Sequence, residues 1–179
     1  MTGRSKSNPR PAMTGRARLT TRPRPGLAKA LEHLYLEHNR VAVARDPVDI
    51  VRRFDAPADR EVVGFCASAL AFGRVASIMT SVDRLAAAMG PSPAAFVRRF
   101  DPRADGHALL AMAHRWTTGA DLVALLWVLR QMLDRSGSIE TFFLEGYDPA
   151  ATDVGGALES FSRRAMSLDL SAAYGRVPE

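Results

Sequence analysis

Apolar residues recur at helical spacing along most of the chain beyond Gly26, and no segment alternates apolar and polar residues as a strand would. The pattern is clearest in residues 59–74, DREVVGFCASALAFGR. Five apolar side chains follow the i, i+3, i+4, i+7, i+8 template there: Val62, Phe65, Cys66, Ala69 and Leu70. The repetition of this pattern predicts an all-α fold, organised as a single multi-helix bundle domain over residues 26–179.

Capping residues, glycines and prolines set the expected helix boundaries. Asp59 is predicted as the N-cap of the third helix, and Gly73 as the glycine that ends it. Together with the apolar spacing, such signals predict helices over 26–39, 47–54, 59–73, 75–89, 93–100, 105–114, 118–137, 138–144 and 154–168.

The helix that follows Thr118 is expected to lie at the centre of the fold. Thr118-Gly-Ala-Asp121 is a capping-box variant, in which the Thr hydroxyl accepts from a backbone amide and Asp121 reaches back. Residues 122–133 are apolar almost all round the helix, which is typical of a buried helix.

The first 25 residues differ sharply in charge from the rest. They hold 7 of the 24 basic residues and no acidic one, which leaves 17 basic against 19 acidic residues elsewhere, a net charge of −2. Residues 1–25 are therefore predicted to form a disordered Arg-rich tail that contacts polyanions. MTGR occurs at Met1 and again at Met13, and either methionine is compatible with the start of translation.

Several classes of function lack their sequence signals. The longest apolar run, residues 122–129, is too short to cross a membrane. Cys66 is the single cysteine and lies on an apolar helix stripe, which excludes an internal disulfide and favours a reducing, cytoplasmic location. The pair His107 and His114 could share a helix face but has no cysteine or carboxylate at metal-ligand spacing, and phosphate loops and nucleophile elbows are absent. No metal site, cofactor or catalytic residue is predicted.

The segment Arg115–Thr118, RWTT, offers the best candidate for an anion contact. Backbone amides at a helix N-terminus bind phosphate, and Arg115, Thr117 and Thr118 would add donors. The structural alternative is that Trp116 is a packed side chain while Thr118 is an ordinary helix cap.

Arg74, between two predicted helices, has the same two interpretations. Its guanidinium could contact a phosphate, or it could form an interhelix salt bridge or C-cap. The arginines at 98, 99 and 103 have no aromatic residues interleaved for base stacking, which favours a solvated helix face.

Four ordered blocks resemble a conserved bacterial family, domain of unknown function 2400: DREVVGFCASALAFGR, PSPAAFVRRFDP, RWTTGADLVALLWVLR and ALESFSRRAMSLDLSAAYG. That family is similar in turn to helix-hairpin-helix base-excision DNA glycosylases, through a downstream segment of the type PLDTHVxRxxRxLG that carries the catalytic acid. This segment does not occur in the chain, so the resemblance implies a helical half of a glycosylase-like fold, truncated at its C-terminus and without catalytic residues.

The resemblance and the residues together give three functional hypotheses. The first is a helical domain that contacts nucleic acid through the tail and the Arg115 region, without being an enzyme as the chain stands. The second is a protein-interaction module, which docks a partner or self-associates through exposed apolar helix faces such as residues 122–133. The third is a non-functional fragment of a longer family member.

Overall fold

The computed structural model describes residues 26–38 and 46–174, so the predicted tail over residues 1–25 lies outside the described residues. The described part of the chain forms ten helices and one two-stranded hairpin, which confirms the all-α class. The elements are α1 Leu27–His38, α2 Val48–Val51, α3 Pro57–Ala69, α4 Val75–Met89, α5 Pro93–Arg99, α6 His107–Leu110, β1 Ala113–His114, β2 Thr117–Thr118, α7 Gly119–Ser136, α8 Ile139–Leu144, α9 Gly155–Met166 and α10 Ser171–Tyr174.

The chain divides into two compact units, residues 1–40 and 41–179. Helix α1 belongs to the first unit and has the amphipathic pattern expected from its leucines. The second unit holds α2 to α10 and the hairpin.

Helix α7 is the centre of the second unit, as predicted. It packs against α5, α6, α8 and α10. Its buried side chains include Leu122, Leu126, Leu129, Met132 and Leu133, and burying one such side chain contributes about 1.5–3 kcal/mol relative to leaving it in water. The prediction that residues 122–133 offer an exposed apolar face for docking is therefore wrong, because neighbouring helices cover these leucines.

Helix α3 begins two residues before the predicted cap. Ala56 is the N-cap and Pro57 occupies the first turn, where its missing N–H costs nothing. Asp59 is instead buried, and its Oδ1 accepts a hydrogen bond from the Ala94 N–H at 2.8 Å. The carboxylate thereby joins α3 to the start of α5 rather than capping its own helix.

Two other segments also differ from the sequence prediction. Helix α2 spans only Val48–Val51 instead of 47–54. The helix predicted over 105–114 is restricted to α6, and the chain then forms an antiparallel hairpin in which Ala113 pairs with Thr118 and His114 with Thr117. Strands of two residues are too short to show alternation, and the Arg-Trp loop lacks the glycine or asparagine of common hairpin turns.

Helix α9 differs from α7 in leaving apolar side chains in solvent. Ala157 is buried, whereas Leu158 is 54 % and Met166 is 84 % exposed. The inner side of α9 is held by Arg164, whose guanidinium lies 4.5 Å from the centre of the Phe142 ring and 3.3 Å from the Glu145 carboxylate.

Over the ranges 26–38 and 46–174, none of the helices has both the length and the apolar character that crossing a membrane requires. Within the same ranges, no three His, Cys, Asp or Glu side chains converge in a way that would hold a metal ion.

The buried thiol gives a direct test of the core. Removal from solvent raises the pKa of Cys66 to about 12, so the native protein holds about three orders of magnitude less thiolate than an exposed cysteine of pKa about 8.5. We expect Cys66 to be inert to a thiol-specific chromogenic disulfide reagent in buffer and to react fully in guanidinium chloride. Rapid labelling of the native protein would contradict this packing.

Candidate functional site

Arg115 and Trp116 form the two-residue loop of the hairpin, between β1 and β2. Arg115 has a φ of +58°, and it is the only non-glycine residue with a positive φ in the described ranges. A positive φ at the first loop position alone is the pattern of a type II′ turn, where glycine is preferred. An arginine is therefore held at a position that disfavours any side chain.

The buried imidazole of His114 fixes the hairpin to two other elements. Its Nε2 lies 3.0 Å from the carbonyl oxygen of Phe72, and its Nδ1 lies 2.9 Å from the Ser81 Oγ. Because a carbonyl oxygen only accepts, Nε2 carries a proton that it donates, and Nδ1 is within hydrogen-bond distance of the Ser81 hydroxyl. His114 is only 4 % exposed, so it joins the hairpin to the α3–α4 turn and to α4.

An aromatic stack covers the same turn. The rings of Phe72 and Trp116 lie face to face, with centroids 4.5 Å apart and planes inclined by 12°. His114 meets Phe72 edge-on at 4.8 Å. Trp116 itself is 76 % exposed: one face packs against Phe72, and most of the indole surface lies in solvent.

The Arg115 side chain lies directly over Gly73, in the α3–α4 turn. A Cβ built on Gly73 would come within 2.6 Å of the Arg115 Nε, and Gly73 also has a positive φ of +107°. Arg74 follows as the N-cap of α4, exposed and with no ion pair in the described part of the chain. Neither the salt bridge nor the C-cap considered for Arg74 is present there.

An open groove of about 460 Å³ runs between the hairpin and one face of α4. Its lining residues are Ala76, Ser77, Thr80, Ser81, Arg84, Ala113, His114 and Arg115. Two arginines and three hydroxyls thus line the groove, and no carboxylate does. Arg84 and Arg115 are exposed and form no ion pair within the described residues, so both guanidinium groups are available to an external anion.

The N-terminus of α7 already holds an internal anion. Asp121 Oδ2 accepts from the Thr118 N–H at 2.8 Å and from the Thr118 hydroxyl at 2.7 Å, while Oδ1 accepts from the Tyr174 hydroxyl at 2.9 Å. The Thr118 hydroxyl oxygen lies 3.4 Å from the Asp121 amide, which completes the predicted capping box. An anion placed on these amides would face the Asp121 carboxylate, so the groove is the more favourable place for one.

The structure brings together most of the residues singled out from the sequence. Arg115 lines the groove, Trp116 follows it in the loop without lining the groove, Thr117 is half-buried in β2, and Thr118 caps α7. Arg74 lies next to Gly73 but does not line the groove.

Sequence reasoning missed the contribution of α4. The residues it adds are Ser77, Thr80, Ser81 and Arg84. Their spacing of three, four and seven residues puts them on one helix face, opposite the apolar stripe, and this spacing was the signal that could have found them.

The other arginine cluster has structural partners. Arg98 donates to the carbonyl oxygen of Gly137 at 2.6 Å, and the Arg99 guanidinium lies 5.2 Å from the centre of the Phe96 ring. The first contact ties α5 to the end of α7, and the second lies within α5.

Comparison with known proteins gives one match. The model of a family described as "Protein of unknown function (DUF2400)" matches residues 46–177, well over half of the chain. No curated protein and no solved structure matches the chain.

The Asp121 cap predicts a pH-dependent contribution to stability. Hydrogen bonds from the Thr118 amide, then from the Thr118 and Tyr174 hydroxyls, lower the pKa of Asp121. A lowered pKa stabilises the folded protein above the unfolded value of about 3.9, and the effect disappears as the pH falls through the folded value.

Asp121→Asn should therefore cost about 0.5–1 kcal/mol at neutral pH, allowing for solvent screening. The difference from the wild-type protein should shrink below about pH 4. Urea denaturation of both proteins at neutral and acid pH measures it. A difference that stays constant with pH would show that the charge of Asp121 contributes nothing.

The backbone of Arg115 generates a second prediction. A left-handed conformation costs a residue with a Cβ about 1 kcal/mol, which glycine avoids at the expense of roughly 0.4–1 kcal/mol of extra unfolded-state entropy. These two effects nearly cancel, so Arg115→Gly should have about the same free energy of unfolding as the wild-type protein.

Arg115→Ala is the matched control, because it removes the same guanidinium and keeps the Cβ. We expect it to be less stable than Arg115→Gly, by up to roughly 0.6 kcal/mol in urea denaturation, because the relief of strain exceeds the added unfolded-state entropy of glycine. Greater stability of Arg115→Ala would mean that the turn is not strained.

Proposed function

We propose, for a chain that belongs to the DUF2400 family, that the groove between the hairpin and α4 binds the phosphate backbone of a nucleic acid. The observation that carries the proposal is the lining of this groove: two arginines without ion pairs in the described residues, three hydroxyls and no carboxylate. The glycosylase similarity stays a prediction from the sequence, and the proposal does not depend on it.

The donors of the groove suit phosphate chemically. Arginine presents a planar fork of N–H donors that matches two phosphate oxygens. Of the three hydroxyls, Thr80 already donates to the carbonyl oxygen of Ala76 at 2.9 Å, and Ser81 lies 2.9 Å from His114 Nδ1. The groove therefore offers an anion its two guanidinium groups and the Ser77 hydroxyl, a combination that phosphate contacts commonly use.

The charge distribution favours a local site over a generally basic surface. Beyond residue 25 the chain has a net charge of −2, so its electrostatic attraction for a polyanion is expected to be concentrated where arginines lack acidic partners. In the tail, the seven basic residues would add sequence-independent attraction. A binding experiment must separate these two contributions.

The proposed activity is binding. The Cys66 thiol is buried among apolar side chains, so it is not placed to act as a nucleophile towards a bound phosphate. Both ring nitrogens of His114 have hydrogen-bond partners, which fixes the orientation of the ring.

The test uses the full chain with its seven tail residues changed to Gln: Arg4, Lys6, Arg10, Arg16, Arg18, Arg22 and Arg24. Fluorescence anisotropy with labelled oligonucleotides measures affinity at several salt concentrations. We expect residual binding, which Arg84→Gln and Arg115→Gly each weaken roughly fivefold, equivalent to about 1 kcal/mol. Each variant should also reduce the slope of log binding constant against log salt concentration by about one, because one fewer counterion is released.

Arg103→Gln is the matched control, since Arg103 is exposed and lies outside the groove. It should leave affinity unchanged. If the tail-neutralised protein binds no oligonucleotide, or if Arg103→Gln weakens binding as much as the groove variants, the proposal is wrong. A stoichiometric complex with another protein and no oligonucleotide affinity would instead favour the interaction-module hypothesis.

A further inference from the structure

We infer that this site is specific for unpaired nucleic acid, with one base stacked on the exposed face of Trp116. The inference rests on the proposed function, since it places a base next to a phosphate held in the groove. It says whether the bound nucleic acid is single-stranded or double-stranded, which the arginines alone do not determine.

Trp116 is built as a supported platform. Phe72 lies against one face of the indole at a centroid distance of 4.5 Å, and the two planes are nearly parallel. Phe72 is held in turn by the edge of His114 at 4.8 Å, and its carbonyl oxygen accepts the His114 Nε2 proton. A ring supported on one side and 76 % exposed can accept a second flat ring on its other side.

The position of this platform relates it to the groove. Arg115, which lines the groove, immediately precedes Trp116 in a two-residue loop. The strained backbone at Arg115 therefore presents a cation and an aromatic surface side by side. Sites for single strands combine these two features, a positively charged groove along the backbone and aromatic side chains on which bases stack.

Base pairing decides whether a base can use the platform. Inside a duplex both faces of each base are covered by its neighbours, so a protein ring can stack only on a terminal, flipped or single-stranded base. Phosphate contacts in the groove are available to either form. Trp116 should consequently distinguish the two forms, while Arg84 and Arg115 should not.

The experiment uses the tail-neutralised full chain with Trp127→Phe, which leaves Trp116 as the only tryptophan of the two. The probes are a thymidine oligomer of about 12 nucleotides, near the site size of single-strand-binding modules, and its duplex with the adenine complement. We expect the single strand to bind on the order of 10-fold more tightly and to quench Trp116 emission. Equal affinity for strand and duplex, or no quenching, would overturn the inference.

Trp116→Leu, made without the Trp127 change, removes the ring at a solvent-exposed position. It should lower single-strand affinity by on the order of 10-fold and duplex affinity by far less. Trp116→Phe keeps an aromatic face and should retain part of the preference, and a thermal melt of each variant verifies that it folds. A preference that survives Trp116→Leu in a folded protein would exclude stacking.

The two proposals fail in different ways. If Arg84→Gln and Arg115→Gly change the affinity for neither probe, the phosphate groove itself is wrong. If both variants weaken single strand and duplex alike while Trp116→Leu changes neither, the groove is supported and the specificity for unpaired nucleic acid is wrong.

Discussion

The burial of α7 is the constraint on which the rest of the second unit depends. Its leucines and methionine are covered by α5, α6, α8 and α10, so these helices take their positions from one apolar cylinder. The first residue of α7 is also fixed, because a Cβ on Gly119 would overlap the backbone of Leu110 at 2.5 Å. The strand that leads into α7 must therefore pass close to α6. The packing of α7 thus fixes where the hairpin lies, although α7 itself contributes no residue to the groove.

His114 then holds the hairpin against α4 and the α3–α4 turn, and this contact shapes the groove. Both ring nitrogens of the imidazole have hydrogen-bond partners within the protein, and a buried polar group paired in this way specifies a single arrangement. The arrangement brings Arg115 over Gly73 and Trp116 onto Phe72. The backbone strain at Arg115 is stored at the residue that faces the groove, which is where strained residues in proteins commonly serve binding.

The candidate site was only partly predictable, for physical reasons that differ among its residues. Arg115 to Thr118 could be identified because a capping box marks a helix start and arginine beside it suggests an anion. The groove that we propose for the anion could not be identified in this way, because Asp121 returns to its own helix N-terminus and occupies the position that the sequence suggested. Arg84 lies 31 positions before Arg115, and only the folding of the hairpin against α4 places both in one groove. The exposure of Trp116 could not be predicted either, because it depends on the packing of the ring against Phe72 in the folded protein.

Apolar periodicity and local hydrogen bonding act within one helix turn, so the helical class, the capping box and the burial of α7 follow from the sequence alone. The same signals predicted most helix segments but placed the start of α3 on Asp59, whose partner is the amide of Ala94. The hairpin, the exposed stack and the groove depend on the tertiary structure. The two strands of the hairpin are close in the chain, but His114 holds them to Phe72 and Ser81, and the stack and the groove also join residues far apart in sequence. These contacts form only when α3, α4 and α7 are packed together.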